Sequence, residues 1–254
     1  MKDIERINMP GNLEGIVEDY EVDRLMDLEA NKKNKKLVPA VNSRLRHRYV
    51  LLPEVIYRSS GILIQGKRIK SILFSTDLAI IRNNNANAIL AVYPFTPELS
   101  IMQSIIQVAN VPVFSGIGGG TTSGERSIQL ALQAELLGSY GAVVNAPMTN
   151  DMIGKISRAI DVPLIATIAS DRDDIRGKIE AGANILNISA GKHTSELVRD
   201  VRKIVGEDFP IIATGGHREE NIERTIEAGA NAITYTPPTS GEIFQSVMED
   251  YRKG

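Results

Sequence analysis

The chain has 254 residues, enough for one large core, and carries 29 basic against 31 acidic side chains for a formal charge of −2. That balance excludes the global field that marks a nucleic-acid or membrane binder, and the absence of cysteine excludes disulfides, thiolate nucleophiles and zinc–thiolate sites. The start Met1-Lys2-Asp3-Ile4-Glu5-Arg6 has no apolar signal-peptide core, and no apolar run approaches the roughly 18 residues of a membrane span, so a cytoplasmic location and no membrane partner are expected.

Residues 1–70 differ from the rest. Leu13 to Leu28 is strongly acidic, whereas Lys32 to Arg48 contains Lys32, Lys33, Lys35, Lys36, Arg44, Arg46 and Arg48. The basic stretch reads in two ways. It contacts a polyanion such as RNA, or an acidic surface on another subunit of a homo-oligomer; or it is a solvated helix face, the reading favoured by the lack of interleaved aromatic residues. Gly61 to Ile69 reads as a β-hairpin placed to plug one end of the domain formed by the remaining residues. Residues 1–70 are therefore expected to form an extension of helices and a hairpin, and 71–254 a single barrel.

From Ser71 onward a short apolar run, a polar or glycine-rich loop and a helical stretch alternate. The expected strands are Ile72 to Ser75, Ala88 to Val92, Val111 to Phe114, Ala142 to Asn145, Pro163 to Thr167, Ile185 to Ser189, Pro210 to Ala213 and Ala232 to Tyr235. Their continuous apolar character fits a parallel sheet buried on both faces. The hexapeptide Ile179-Glu180-Ala181-Gly182-Ala183-Asn184 recurs as Ile226-Glu227-Ala228-Gly229-Ala230-Asn231, each copy a helix ending on a glycine C-cap followed at once by a strand. Pro97-Glu98 is expected to open the second helix and Thr194-Ser195-Glu196 the sixth. Eight such units predict an α/β fold, a (β/α)8 TIM barrel with an N-terminal helical and hairpin extension; an open doubly wound sheet is the alternative.

In such a barrel the site lies where the strands end, so the residues after each apolar run are the candidates. Tyr93, Asn145, Thr167 and Asn187 are expected to bind substrate. Asp77, directly after the first strand, is a candidate base or a cap for the short first helix, with Lys192 and His217 as its acid–base partners. Ile211-Ile212-Ala213-Thr214-Gly215-Gly216-His217 and Thr236-Pro237-Pro238-Thr239-Ser240-Gly241 form two successive loops in which glycine backbone and a helix N-terminus favour an anion, giving Gly215, Gly216, Thr236, Ser240 and Gly241 as a phosphate grip. The glycine-rich run Gly116 to Glu125 lacks the Gly-Lys-Ser/Thr ending of a nucleotide loop and reads as a second anion contact, a lid or a plain connection. With three histidines and no carboxylate cluster at strand ends, neither a metal nor a cofactor is expected.

The two loops resemble the phosphate grip of ribulose-phosphate-binding TIM barrels, over residues 71–254 and most strongly from Glu180 to Tyr235, and this implies a phosphorylated small molecule as ligand. Ala183 to Ser189 with Thr214-Gly215-Gly216 is similar to the matching segment of 2-keto-3-deoxy-6-phosphogluconate aldolases, whose Schiff-base lysine stands on strand six. Asn187 occupies that position here and cannot form an imine, which speaks against class I aldolase chemistry. The leading expectation is a sugar-phosphate isomerase, epimerase or lyase; hydrolase chemistry stays open without a Gly-x-Ser-x-Gly elbow to support it. The rival is a non-catalytic phosphometabolite sensor, since the charge-poor mouth resembles glycerol-responsive antiterminator proteins in architecture.

Overall fold

A computed structural model describes residues 16–18, 48–216 and 218–253. The helices expected within residues 1–47, most of the basic stretch and His217 lie outside the described residues. Strand β1 (Ile16–Glu18) pairs antiparallel with β2 (Arg48–Val50), and a 3-10 turn follows at Glu54–Arg58. The hairpin is β3 (Ile62–Ile64) and β4 (Lys67–Ile69), joined through Gln65 and Gly66, both at positive φ, as a tight two-residue turn requires.

Eight parallel strands then close on themselves: β5 (Ser71–Phe74), β6 (Ala88–Ala91), β7 (Val113–Gly118), β8 (Gly141–Val144), β9 (Leu164–Ile168), β10 (Ile185–Ile188), β11 (Ile211–Thr214) and β12 (Ala232–Tyr235). The helices are α1 (Leu78–Arg82), α2 (Leu99–Val108), α3 (Glu125–Leu136), α4 (Asn150–Ser157), α5 (Ile175–Glu180), α6 (Thr194–Val205), α7 (Glu219–Glu227) and α8 (Ser240–Lys253). This is the (β/α)8 barrel that the alternation predicts, with an N-terminal extension. No described helix is long and apolar enough to cross a membrane.

The third strand differs from its expected bounds. It runs on through Gly116 and Gly118, expected in a loop, and its register against β8 shifts between those two glycines. A Cβ at Gly118 would stand 2.5 Å from the Thr122 carbonyl oxygen, so the glycine permits close packing within the strand and does not end it. Thr194 also does a different job from the one expected. Its hydroxyl donates to the Gly191 carbonyl (2.8 Å) and accepts from Ala190 N–H (3.1 Å), closing the 3-10 turn Gly191–His193 ahead of α6.

Apolar side chains separate into an inner and an outer set, as strand alternation demands. The inner set includes Ile72, Phe114, Ile165, Ile185 and Ile212, and the hairpin's Ile62, Ile64 and Ile69 join it from the strands' N-terminal side. The hairpin thus covers that end of the barrel, each buried isoleucine contributing about 2 kcal/mol of hydrophobic stabilisation.

The repeated hexapeptide acquires a physical meaning at the same end. Gly182 (φ 116°) and Gly229 (φ 109°) terminate α5 and α7 in the predicted left-handed conformation. The asparagine two residues on brackets the first residue of the neighbouring strand. Asn184 N–H donates to the Leu164 carbonyl while its Oδ1 accepts from Leu164 N–H, both at 2.9 Å, and Asn231 treats Ile211 in the same way. Asn87, outside either copy, repeats the bracket on Ser71 at 3.0 and 3.2 Å. The buried Arg202 guanidinium adds bonds to the carbonyls of Gly206, Glu207, Phe209 and Gly229 and to Asn231 Oδ1.

Candidate functional site

At the other end the inward positions change character. One alternation step beyond the inner apolar set stand Phe74, Val92 and Gly116 from β5–β7, an apolar arc, and Asn145, Thr167, Asn187, Thr214 and Thr234 from β8–β12, a polar arc. None of the eight is charged. Asn187 donates from Nδ2 to Thr167 Oγ1 at 3.3 Å. Its Oδ1 is buried without a partner, and so is Thr234 Oγ1, the two residues being 6% and 2% exposed. Among the described residues the third such atom is Ser59 Oγ, beside the hairpin. An unpartnered buried acceptor is costly, about 1–3 kcal/mol, so its persistence in a strand of a barrel mouth needs a reason.

A cavity of about 90 Å3 opens between the loops after β6 and β7. It brings Tyr93 and Asn145, both expected in the site, against Gly118, Gly119, Thr121 and Thr122, with Pro94, Phe95 and Pro97 on the opposite wall. Its size is that of about three waters, which suits one small group of a ligand. Gly119 approaches Asn145 so closely that a Cβ there would meet Asn145 N at 2.7 Å, and its N–H donates to the Thr122 carbonyl at 2.8 Å. The tyrosine hydroxyl accepts from Glu98 N–H at 2.8 Å, which ties the loop after β6 to the start of α2.

Asp77 caps α1, accepting from Ala79 N–H (2.9 Å) and Ile80 N–H (3.2 Å). Ser240, at the start of α8, stands close enough to this carboxylate to help lower its pKa. Burial alone would raise the Asp77 pKa; the hydrogen bonds from Ser240, Ile80 and Ala79 outweigh it and hold the carboxyl below its usual range. Thr239 and Glu242 form a capping box on the same helix, Thr239 N–H donating to Glu242 Oε2 at 2.7 Å and Glu242 N–H to Thr239 Oγ1 at 3.2 Å. Two of the chain's own carboxylates therefore serve the α8 N-terminus.

The other expected grip residues divide. Gly215 N–H donates to the Thr234 carbonyl at 3.1 Å, and a Cβ there would meet Ile222 Cγ1 and Ile233 Cγ2 at 2.7 Å, so this glycine serves packing. A Cβ at Gly216 (φ 74°) would meet Asn221 Nδ2 at 3.9 Å, and Thr236 is half-buried just past β12. Gly241 is exposed in the first turn of α8, and Lys192 is exposed in the turn after β10.

Sequence reasoning missed Lys178. It is 3% exposed, and its ammonium donates to the carbonyls of Ala146 (3.0 Å) and Met148 (3.1 Å) in the loop that carries Asn145. Burial pushes its pKa below the usual lysine value, with Asp173 and Asp174 opposing that shift. The available signal was position: Lys178 stands three residues after buried Ile175, on the inward face of α5.

No protein-family model matches the chain, and no curated protein matches it. Solved structures do match in fold. A phosphonopyruvate hydrolase superposes with a TM-score of 0.59 at 13% identity, over 75% of this chain and 83% of that one. Phosphoenolpyruvate phosphomutase from Streptomyces platensis subsp. rosaceus gives 0.57 at 14%, over 72% and 81%. A 2,3-dimethylmalate lyase, a member of the PEP mutase/isocitrate lyase superfamily, gives 0.56 at 14%, over 79% and 84%. At these identities the likeness shows the barrel fold alone, and none of these three neighbours is named as a ribulose-phosphate-binding barrel, the group that the sequence resembles. Phosphonopyruvate hydrolase has been solved with oxalate and Mg2+. Among the described residues of this chain no group of three or more His, Asp or Glu side chains is placed to hold a metal ion.

Proposed function

We propose that the chain is an enzyme of the lyase, mutase or isomerase range, acting at the C-terminal mouth of its barrel on a small metabolite that bears a phosphate or carboxylate group. The observation that carries this reading is the polar layer where the strands end, with Asn187 Oδ1 and Thr234 Oγ1 buried and unpaired, in place of the apolar residues that fill the barrel's other end. The phosphonopyruvate and dimethylmalate activities in the neighbours' names support the substrate class by analogy of fold alone.

The anionic group is assigned to the cavity over Gly118 to Thr122, beside Tyr93 and Asn145, which is open between two loops, so that an anion there keeps contact with water, and whose lining carries no carboxylate to repel it. The α8 N-terminus is the poorer seat, because Asp77 and Glu242 already take its donors and would repel a second anion. Proton transfer is assigned to Lys192, with His217 as its partner. Asp77, a weak base while hydrogen bonding holds its carboxyl below the usual range, is assigned to capping α1 and holding α8 against it.

The test is a thermal-shift titration with inorganic phosphate, oxalate, phosphonopyruvate and a panel of triose, pentose and hexose phosphates. A dose-dependent rise with one organic anion, larger than with inorganic phosphate, is expected. No rise with any of them overturns the anion reading. With a turnover assay in hand, Lys192→Gln is expected to abolish activity at retained binding; binding by the native chain without turnover on any of these compounds identifies a sensor instead.

A further inference from the structure

The polar arc also specifies which end of the ligand enters the barrel. We infer that the barrel interior below the mouth is a socket for a neutral hydroxyl-bearing group, so that the ligand is a polyhydroxylated compound with its anionic group turned outward. This rests on the reading of the mouth as a ligand site.

Two unpartnered atoms define the socket. Asn187 Oδ1 is an acceptor only, so the group that satisfies it must donate a hydrogen bond. A carboxylate or a fully ionised phosphate has no proton to donate. Thr234 Oγ1 can donate and accept, as an alcohol can, and a hydroxyl group complements both side chains. Both residues are more than nine-tenths buried and both face the barrel axis, each two positions beyond an inner apolar residue, Ile185 and Ala232.

Electrostatics gives the same polarity independently. Among the described residues the socket holds no cation to neutralise an anion driven into it, and the one buried lysine near the mouth, Lys178, spends its ammonium on the carbonyls of Ala146 and Met148. An uncompensated anion there would carry a full desolvation penalty, whereas an alcohol exchanges its water partners for Asn187 and Thr234.

The experiment compares erythritol 4-phosphate with butyl phosphate, which has the same chain length and no hydroxyls, by calorimetric titration. Erythritol and inorganic phosphate are run alongside, on the wild-type chain and on Asn187→Leu and Thr234→Val. The wild type is expected to prefer erythritol 4-phosphate about tenfold or more, since a buried acceptor left unpaired penalises the analogue. Either variant should bring that ratio near one, by weakening erythritol 4-phosphate and by lifting the penalty on butyl phosphate; Thr234→Val, which preserves shape, is the independent second variant. Equal binding of both phosphates to the wild type, or a preference that survives both substitutions, overturns the socket while leaving the anion reading intact. Erythritol binding that depends on Asn187, with phosphate adding nothing, upholds the socket and overturns the anion reading. Binding of no compound overturns both.

Discussion

The two ends of the barrel use the same side chains for opposite purposes. At the N-terminal end Asn87, Asn184 and Asn231 each close a two-point bracket on a strand, and Arg202 gathers four backbone carbonyls and an amide. At the C-terminal end Asn187 makes one long bond and leaves its oxygen buried and open, as does Thr234. Asparagine that is paired on both sides fixes strand register; asparagine left half-paired leaves a place for something else to bind. A barrel separates the tasks because its αβ loops can be optimised for stability while its βα loops are kept for ligands.

That contrast can be broken from either side. The largest effect is expected from Arg202→Met, which strands several carbonyls: a loss of about 3 kcal/mol or more in urea unfolding with ligand affinity unchanged. Asn231→Ala and Asn184→Ala should follow at about 1–2 kcal/mol each, Asn231 the larger because it also holds Arg202. Asn187→Leu, the same residue type at the other end, should leave stability within about 1 kcal/mol of wild type, or raise it, because it removes an unsatisfied atom. The smallest effect concerns pH. The Asp77 carboxyl is depressed in the fold, so in the window between its folded pKa and its unfolded value near 3.8 the unfolded chain binds more protons. Its stabilising contribution is present above that window and is lost as pH falls through it. Acid unfolding of Asp77→Asn should therefore be flatter than wild type below about pH 4, while the two chains keep parallel profiles at neutral pH.

The barrel is legible in the sequence because each of its eight strands is a short apolar run between polar punctuation, and the hexapeptide repeat reports its own glycine-capped junctions. The third strand is longer than its apolar run because Gly116 and Gly118, typical loop residues, stand where a Cβ would strike Val92 or Thr122. Of the candidate site, the placing of Tyr93, Asn145, Thr167 and Asn187 at or just past strand ends is legible from the apolar runs. The bond between Asp77 and Ser240 is not, since no local pattern joins residues so far apart in the chain. The capping box of Thr239 and Glu242 has a readable spacing, and the same segment also reads as an anion site, which the carboxylates already there disfavour. Lys178 looks like an ordinary helix lysine because burial of a charged head depends on the loop packed above it, which only the fold supplies.

Ligand binding, on this reading, belongs to one end of the barrel and structural closure to the other. Backbone and side-chain amide chemical shifts of the isotope-labelled chain, followed during titration with erythritol 4-phosphate, probe both ends at once. Perturbations are expected at Tyr93, Asn145 and Thr167 and at the Asn187 side-chain amide, with Asn87, Asn184 and Asn231 unmoved. Perturbations centred on those three asparagines and the hairpin, with the Asn187 amide silent, would overturn the division between the two ends.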